Sequence, residues 1–238
     1  MPLIKNNEQI DKIKKACKIT DAIFIKIVKY LRKDLRCCTE IQLRDFILEQ
    51  IKKRGLEPSF PPIVTCGKKA GGEIHPQSTN NKLQGFAIID FGVIYEKYMS
   101  DMTRTIYVAC PSLNKGQPPK EEKEIYSLML KSQELGINIA SPDMYCADLD
   151  EIVRNSLGKY KKYFIHTLGH GVGTQIHEKP IIYFKNTKDK LKENMIITIE
   201  PGIYIKNKYG IRIEDTCQII KKGCIALTKS TKELIVIE

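Results

Sequence analysis

Four carboxylates and one imidazole form a set that could do chemistry together: Asp90, Asp101, His170, Glu200 and Glu214. Their contexts are Ile-Ile-Asp90-Phe-Gly, Ser-Asp101-Met-Thr-Arg-Thr, Gly-His170-Gly-Val-Gly, Ile-Glu200-Pro-Gly and Arg-Ile-Glu214-Asp. The acids lie in β-rich segments and His170 in a Gly-rich turn. Like charges gathered in a fold repel strongly unless something neutralises them. Two divalent cations would cancel the four negative charges and turn repulsion into coordination. A site of that kind suits metal-assisted hydrolysis. Taken singly, each member has an ordinary reading: an Asp ending a β-run is commonly a turn residue, and Gly-His-Gly is commonly a tight turn.

The surrounding pattern supplies elements to position such a set. Apolar residues Ile10, Ile13, Cys17, Phe24, Ile27, Val28 and Leu31 recur at helical spacing over residues 7–33. A second helix should start at Thr39, with Gln42 completing a capping box, and stop near Gly55. Residues 60–66 read as a strand, and the polar segment from Lys68 to Asn81 as a loop carrying His75. Ala87 to Val93 and Met99 to Val108 form a hairpin. A turn centred between Tyr95 and Glu96 sets Asp90 opposite Asp101, with both side chains on one face. Residues 111–118 break the pattern. Helices are expected from about Lys120 to Ala140 and from about Tyr145 to Leu157, followed by the glycine-rich turn. A second hairpin, Met195–Ile205 with Ile211–Ile220, then carries Glu200 and Glu214. The plan is one α+β domain over residues 1–238, with pseudo-duplicated halves at about 1–110 and 119–238.

Composition narrows the classes. The chain is 42% hydrophobic and 28% charged, as globular chains are, with no apolar run near the ~20 residues of a bilayer span. No secretory signal opens it, and its eight cysteines are dispersed without a Cys-x-x-Cys pair, which fits a reducing cytoplasm. The net charge of +11 raises the question of nucleic acid. Lys outnumbers Arg 32 to 7 and is spread along the chain, so a solvated basic face is the better reading. No membrane or nucleic-acid partner is expected.

Taken in order, Asp90-Phe-Gly, Ser-Asp101-Met-Thr-Arg-Thr, His166-Thr-Leu-Gly-His170-Gly-Val-Gly, His177-Glu-Lys-Pro, Glu200-Pro-Gly-Ile-Tyr and Arg212-Ile-Glu214-Asp resemble the pita-bread metallopeptidases. The closest likeness is to their X-Pro branch, prolidase and aminopeptidase P, from about residue 5 onward. The resemblance implies the creatinase/aminopeptidase fold, with helices packed on a curved antiparallel sheet. It implies two divalent metals, Mn²⁺ first and Co²⁺, Zn²⁺ or Fe²⁺ as alternatives. Asp90 would bind one ion, Asp101 and Glu214 would bridge, and His170 and Glu200 would complete the other. A metal-bridging hydroxide would attack the first peptide bond while Glu200 shuttles protons. His75 and His177 would contact substrate, with His177 near the developing oxyanion. Thr103 would hold an Asp oxygen.

His166 and Arg212 distinguish proline-directed members from the methionine aminopeptidases, which generally lack both. His166 and His177 would line a pocket for a ring whose nitrogen carries no hydrogen. The chain departs from the pattern in three ways, one of them a loop from His75 to Asp90 that is shorter than usual. The first helix begins near residue 7, so the branch's usual N-terminal domain is not expected, and a monomer or weak homodimer acting on peptides is. Phe86 also replaces an acid common before the first metal strand, a change expected to be structural. The rival readings are a methionine aminopeptidase and a non-catalytic binding protein of the same fold.

Overall fold

The structure is a computed structural model that describes residues 3–34, 38–109 and 116–238. Most of the expected break at 111–118 lies outside these residues, as do Cys37 and Cys110.

Helix α1 (Asn7–Asp34) opens with a reciprocal pair: the Asn6 side chain accepts from the Gln9 N–H, and the Gln9 side chain accepts from the Asn6 N–H. It buries Ile10, Ile13, Cys17, Phe24, Ile27 and Leu31, one stripe at helical spacing. Helix α2 (Glu40–Lys52) starts on the expected capping box, with Thr39 Oγ1 accepting from Gln42 N at 3.2 Å. Strands β1 (Glu57–Pro58) and β2 (Ile63–Cys66) follow. A short helix α3 (Gly67–Ala70) interrupts what the sequence presents as loop.

The first hairpin comprises β3 (Gly85–Phe91), β4 (Val93–Tyr95), β5 (Tyr98–Met99) and β6 (Met102–Val108). Its turn is centred one residue later than expected, on Glu96 and Lys97, both at positive φ (46° and 74°). Asp90 therefore pairs with Thr103, not Asp101. Moving the centre by one shifts the pairing by two, and a shift of two preserves the face. The ladder breaks at Gly92 and at Ser100-Asp101, where the Ser100 hydroxyl accepts the Val93 N–H at 3.0 Å.

Helices α4 (Lys120–Ile139) and α5 (Cys146–Ser156) and a 3₁₀ turn (Gly158–Tyr163) lead to β7 (Gly169–Gly171) and β8 (Glu178–Ile182). The second hairpin runs through β9 (Ile196–Ile199), β10 (Gly202–Ile205), β11 (Tyr209–Arg212) and β12 (Asp215–Ile220). It breaks at Glu200-Pro201 on one side and Ile213-Glu214 on the other. The register on either side of the gap, Ile199 with Asp215 and Gly202 with Arg212, sets Glu200 opposite Glu214. Strands β13 (Gly223–Ala226) and β14 (Val236–Ile237) complete the α+β architecture, with β14 running parallel to β6. Helices α4 and α5 bury Met129, Leu149 and Val153 against Ile197, Ile199 and Ile211 of the second hairpin. Helices α1 and α2 do the same for the first with Ile27, Leu43, Ile47 and Ala87. Each such aliphatic side chain contributes about 1.5–3 kcal/mol on burial. Phe86 sits among Tyr107, Tyr126 and Tyr209, so its replacement of an acid is indeed a packing matter.

Candidate metal centre

The hairpins give up ladder pairing at Asp101, Glu200 and Glu214, while Asp90 stays paired within β3. Threonines of β6 stitch them together: the Glu214 N–H donates to the Thr103 carbonyl at 3.1 Å, and the Thr105 hydroxyl donates to the Arg212 carbonyl at 2.8 Å. Asp101 is clamped through its backbone to Thr216, whose hydroxyl accepts from Asp101 N at 3.1 Å and is 2.7 Å from its carbonyl oxygen.

His170 arrives from a third strand, not from a turn as expected. Its flanking glycines serve close approach. A Cβ on Gly169 would lie 2.0 Å from the Thr198 carbonyl oxygen, and one on Gly171 would lie 2.2 Å from that of Lys179. The imidazole Nδ1 is 3.1 Å from the Gly171 carbonyl, which fixes a proton there and turns Nε2, the atom that would bind a metal, toward the acids. Nε2 is 3.3 Å from Glu200 Oε1 and 3.6 Å from Asp101 Oδ2.

Ligand atoms of Asp101, His170 and Glu214 all lie within 4.8 Å of one another, and all three residues are buried. Glu200 joins through His170 and through Thr198, whose hydroxyl donates to Glu200 Oε1 at 3.1 Å. Asp90 stands beside this group, tied by Oδ2 to Arg212 Nη2 at 2.7 Å. Its Oδ1 is buried without a hydrogen-bond partner. An orphaned carboxylate oxygen is costly unless a cation takes it, so the donor set fits hard divalent metal. Thr103 holds an oxygen of Glu214, donating to Oε2 at 2.6 Å, and not an Asp oxygen as expected.

Arg212 is 1% exposed and makes four bonds: to Thr103 Oγ1, Asp90 Oδ2, the Ile74 carbonyl and the Tyr204 hydroxyl. A guanidinium has five N–H groups, so these four bonds use all but one of them. The Ile74 bond also ties down the loop at His75, which is itself exposed. Glu40 grips the same loop from behind, accepting from Cys66 N, Thr79 N and Thr79 Oγ1.

Tyr204 is a member that sequence reasoning did not single out, although its motif was quoted. His166 Nδ1 faces the Thr167 carbonyl at 2.8 Å, so that nitrogen carries the proton and Nε2 accepts from the Tyr204 hydroxyl at 3.0 Å. Burial, with Arg212 nearby, brings the His166 pKa down to about 4 against the pull of Glu200, so the ring is neutral. Arg154 holds this segment through the Phe164 and His166 carbonyls. His177 packs edge-on against His170 with centroids 4.5 Å apart, and burial and the His170 charge lower its pKa.

Burial, and then the charges of their neighbours, push the Asp101 and Glu214 carboxyls well above the usual range. Burial opposes charge on His170, but the hydrogen bond and charge of Glu200 outweigh it and lift the ring to about 9. Burial likewise works against ionised Glu200, yet His170 holds it down at about 2. Protons thus do in part what cations would do. The consequence for stability has a definite sign. Asp101 and Glu214 keep protons in the fold that they release on unfolding above their ordinary values of 3.8 and 4.5, so stability falls as pH rises through their raised values. His170 contributes stability that is full below 6.5 and is lost as pH climbs to about 9. Glu200 loses its contribution only toward pH 2. We therefore expect the Tm of chelator-treated protein to drop between about pH 6.5 and about pH 9, and the Tm gain on adding Mn²⁺ to widen over that range. Differential scanning calorimetry with and without the metal tests this; a gain that shrinks with pH contradicts it.

The model of metallopeptidase family M24 matches residues 11–221. The chain is 37% identical over 238 residues to an Xaa-Pro dipeptidase of Pyrococcus furiosus, covering 98% of this chain and 65% of that protein. Among solved structures it superposes on the prolidase from Pyrococcus horikoshii with a TM-score of 0.89 at 35% identity, over 98% of this chain and 65% of that one. An X-Pro aminopeptidase from Thermotoga maritima gives 0.90 at 32% identity, over 99% and 65%. The α+β architecture is thus the pita-bread fold. The chain belongs to metallopeptidase family M24, and its likeness lies with the X-Pro branch. It spans 65% of the length of these relatives. Among the described residues no helix is long and apolar enough to cross a membrane.

Proposed function

We propose that this chain is the catalytic domain of a dinuclear metallo-aminopeptidase that hydrolyses the first peptide bond of peptides, preferably Xaa-Pro. The observation that carries the reading is the buried cluster of Asp101, His170 and Glu214, with Glu200 on His170 and the unpaired oxygen of Asp90 beside it. Those five residues would hold two divalent cations, Mn²⁺ being the first choice for an oxygen-rich set. When bound, the metals supply Lewis acidity and a nucleophile available near neutral pH.

The chain's own groups do the rest. Glu200, oriented by Thr198, would take the proton from the attacking water and return it to the leaving nitrogen. His177, neutral and beside His170, offers an N–H to the developing oxyanion. His166, fixed as an acceptor-side ring by Tyr204, and His75 border the place of the proline ring, which has no N–H to satisfy. Arg212 aligns Asp90 and Thr103. Cys17, Cys66, Cys146, Cys217 and Cys224 lie outside any disulfide, which supports a reducing, cytoplasmic setting.

With Mn²⁺ added to metal-stripped protein, an Xaa-Pro peptide should be turned over with a kcat/KM at least about 100-fold above that for Met-Ala-Ser, a ratio within reach of pocket discrimination. Rapid Met-Ala-Ser cleavage with no Xaa-Pro turnover would establish the methionine reading instead. Stoichiometric metal with no cleavage of either would favour a binding protein.

A further inference from the structure

The loop from β7 to β8 carries His177, and its shape depends on a carboxylate that the peptidase chemistry does not use. Glu178 Oε1 accepts from the backbone N–H groups of Thr174 (2.9 Å) and Gln175 (3.2 Å), folding the loop onto itself. Its other oxygen, Oε2, accepts from Lys5 Nζ at 2.6 Å. The Lys5 and Glu178 side chains are 1% and 7% exposed. Lysine is almost never so buried unless something requires its charge. Lys5 is itself anchored: its N–H donates to the Asn194 carbonyl at 2.9 Å, and Ile4 bridges to Met195 just before β9. One ammonium therefore links the strand that leads to Glu200 with the residue after His177. The same loop and Leu3 line a cavity of about 490 Å³ that includes His177.

We propose that Lys5 and Glu178 are positioning residues whose buried ion pair latches the 173–178 loop and so holds the His177 ring against His170, facing the substrate; the proposal rests on the peptidase reading of this site. A latch of this kind acts on the reaction only through His177. The pair is far in sequence, 173 residues apart.

The test is a mutant cycle in the full, Mn²⁺-loaded chain: Lys5→Met, Glu178→Gln and the two combined, each with His177 intact and in a His177→Ala background. Glu178→Gln keeps Oε1 as the acceptor for Thr174 and Gln175 and changes only the atom facing Lys5. The combined variant leaves no buried charge alone, which guards against a single variant that fails to fold. With His177 present, kcat on an Xaa-Pro dipeptide should fall about 10–100-fold, the usual effect of groups that orient others, with KM within about threefold and metal content unchanged. In the His177→Ala background the same changes should matter less than about twofold. Equal losses in both backgrounds, or no loss with His177 present, overturn the latch. An independent readout comes from imidazole NMR, since the chain has only 4 histidines. The His177 signals should broaden or split in the combined variant while those of His75 and His166 stay; an unchanged His177 overturns the proposal. If wild-type protein cleaves no peptide, the peptidase reading fails by itself and the NMR result decides the latch.

Discussion

Asp101→Asn should lower kcat/KM on an Xaa-Pro dipeptide by at least about a thousandfold, equivalent to about 4 kcal/mol of transition-state stabilisation, and should reduce the bound metal. The substitution is nearly isosteric and leaves the backbone clamp to Thr216 untouched, so the fold is retained. What it removes is one negative charge in the cluster, 3.6 Å from the His170 nitrogen that would bind metal. The same change should stabilise the chelated protein at alkaline pH. Asp101 is a buried carboxyl pushed well up by burial and by Asp90, and ionising it works against the fold. Loss of function with a gain in metal-free stability is a signature that ordinary structural damage does not produce. Kinetics, elemental analysis and a Tm at about pH 8.5 read out the three parts. Activity within tenfold of wild type with full metal content would remove Asp101 from the ligand set.

Much of this centre was legible because acids set in apolar β-rich runs are so unfavourable once buried that they demand a reason. Glu200, Glu214 and Asp101 declare themselves in that way. Register was harder. The first hairpin turns on Glu96-Lys97, whose positive φ values are normally met by Asn or Gly, so no turn signal marked its centre. The reading still placed Asp90 and Asp101 on one face because pairing slips in steps of two. His170 was assigned to a turn because β7 has three residues, too few to show a period, and glycine for close approach looks the same in sequence as glycine for a bend. Strand β8 was missed since Pro180 argues against a strand; it is tolerated there because β8 lies at the sheet edge. The deeper omission was the opposite face. Along an extended segment neighbours project to opposite sides, so Glu214-Asp215 and Thr103-Arg104 each present a second buried polar group away from the carboxylate cluster. An acid and a base at matching steps of two neighbouring strands were a readable pair.

That pair sets the second large expectation. Asp215 is 1% exposed and accepts from Arg104 Nη2 at 2.6 Å, Thr228 Oγ1 at 2.7 Å and Gln133 Nε2 at 2.9 Å. Burial opposes its charge, but Arg104 and Lys232 hold its pKa below the usual carboxylate range. Asp215→Ala leaves the buried Arg104 charge uncompensated, which costs about 3–5 kcal/mol. At about 2–4 °C per kcal/mol for a chain of this size, Tm should fall by roughly 6–20 °C. Function should suffer separately. Arg104 Nη1 donates to the carbonyls of Thr103 and Glu214, so the ion pair fixes the guanidinium that aligns the strands bearing one proposed ligand and the threonine that holds it. Metal affinity is expected to drop about 10–100-fold. Replacing both partners, Arg104→Met with Asp215→Leu, separates the two effects. It removes the lone charge and should restore most of the Tm, because a packed apolar pair is often as stable as a buried ion pair. It cannot restore the donor to the Glu214 carbonyl, so metal affinity should stay low. Recovery of both together would mean that the pair only stabilises the fold and plays no part in ordering the centre.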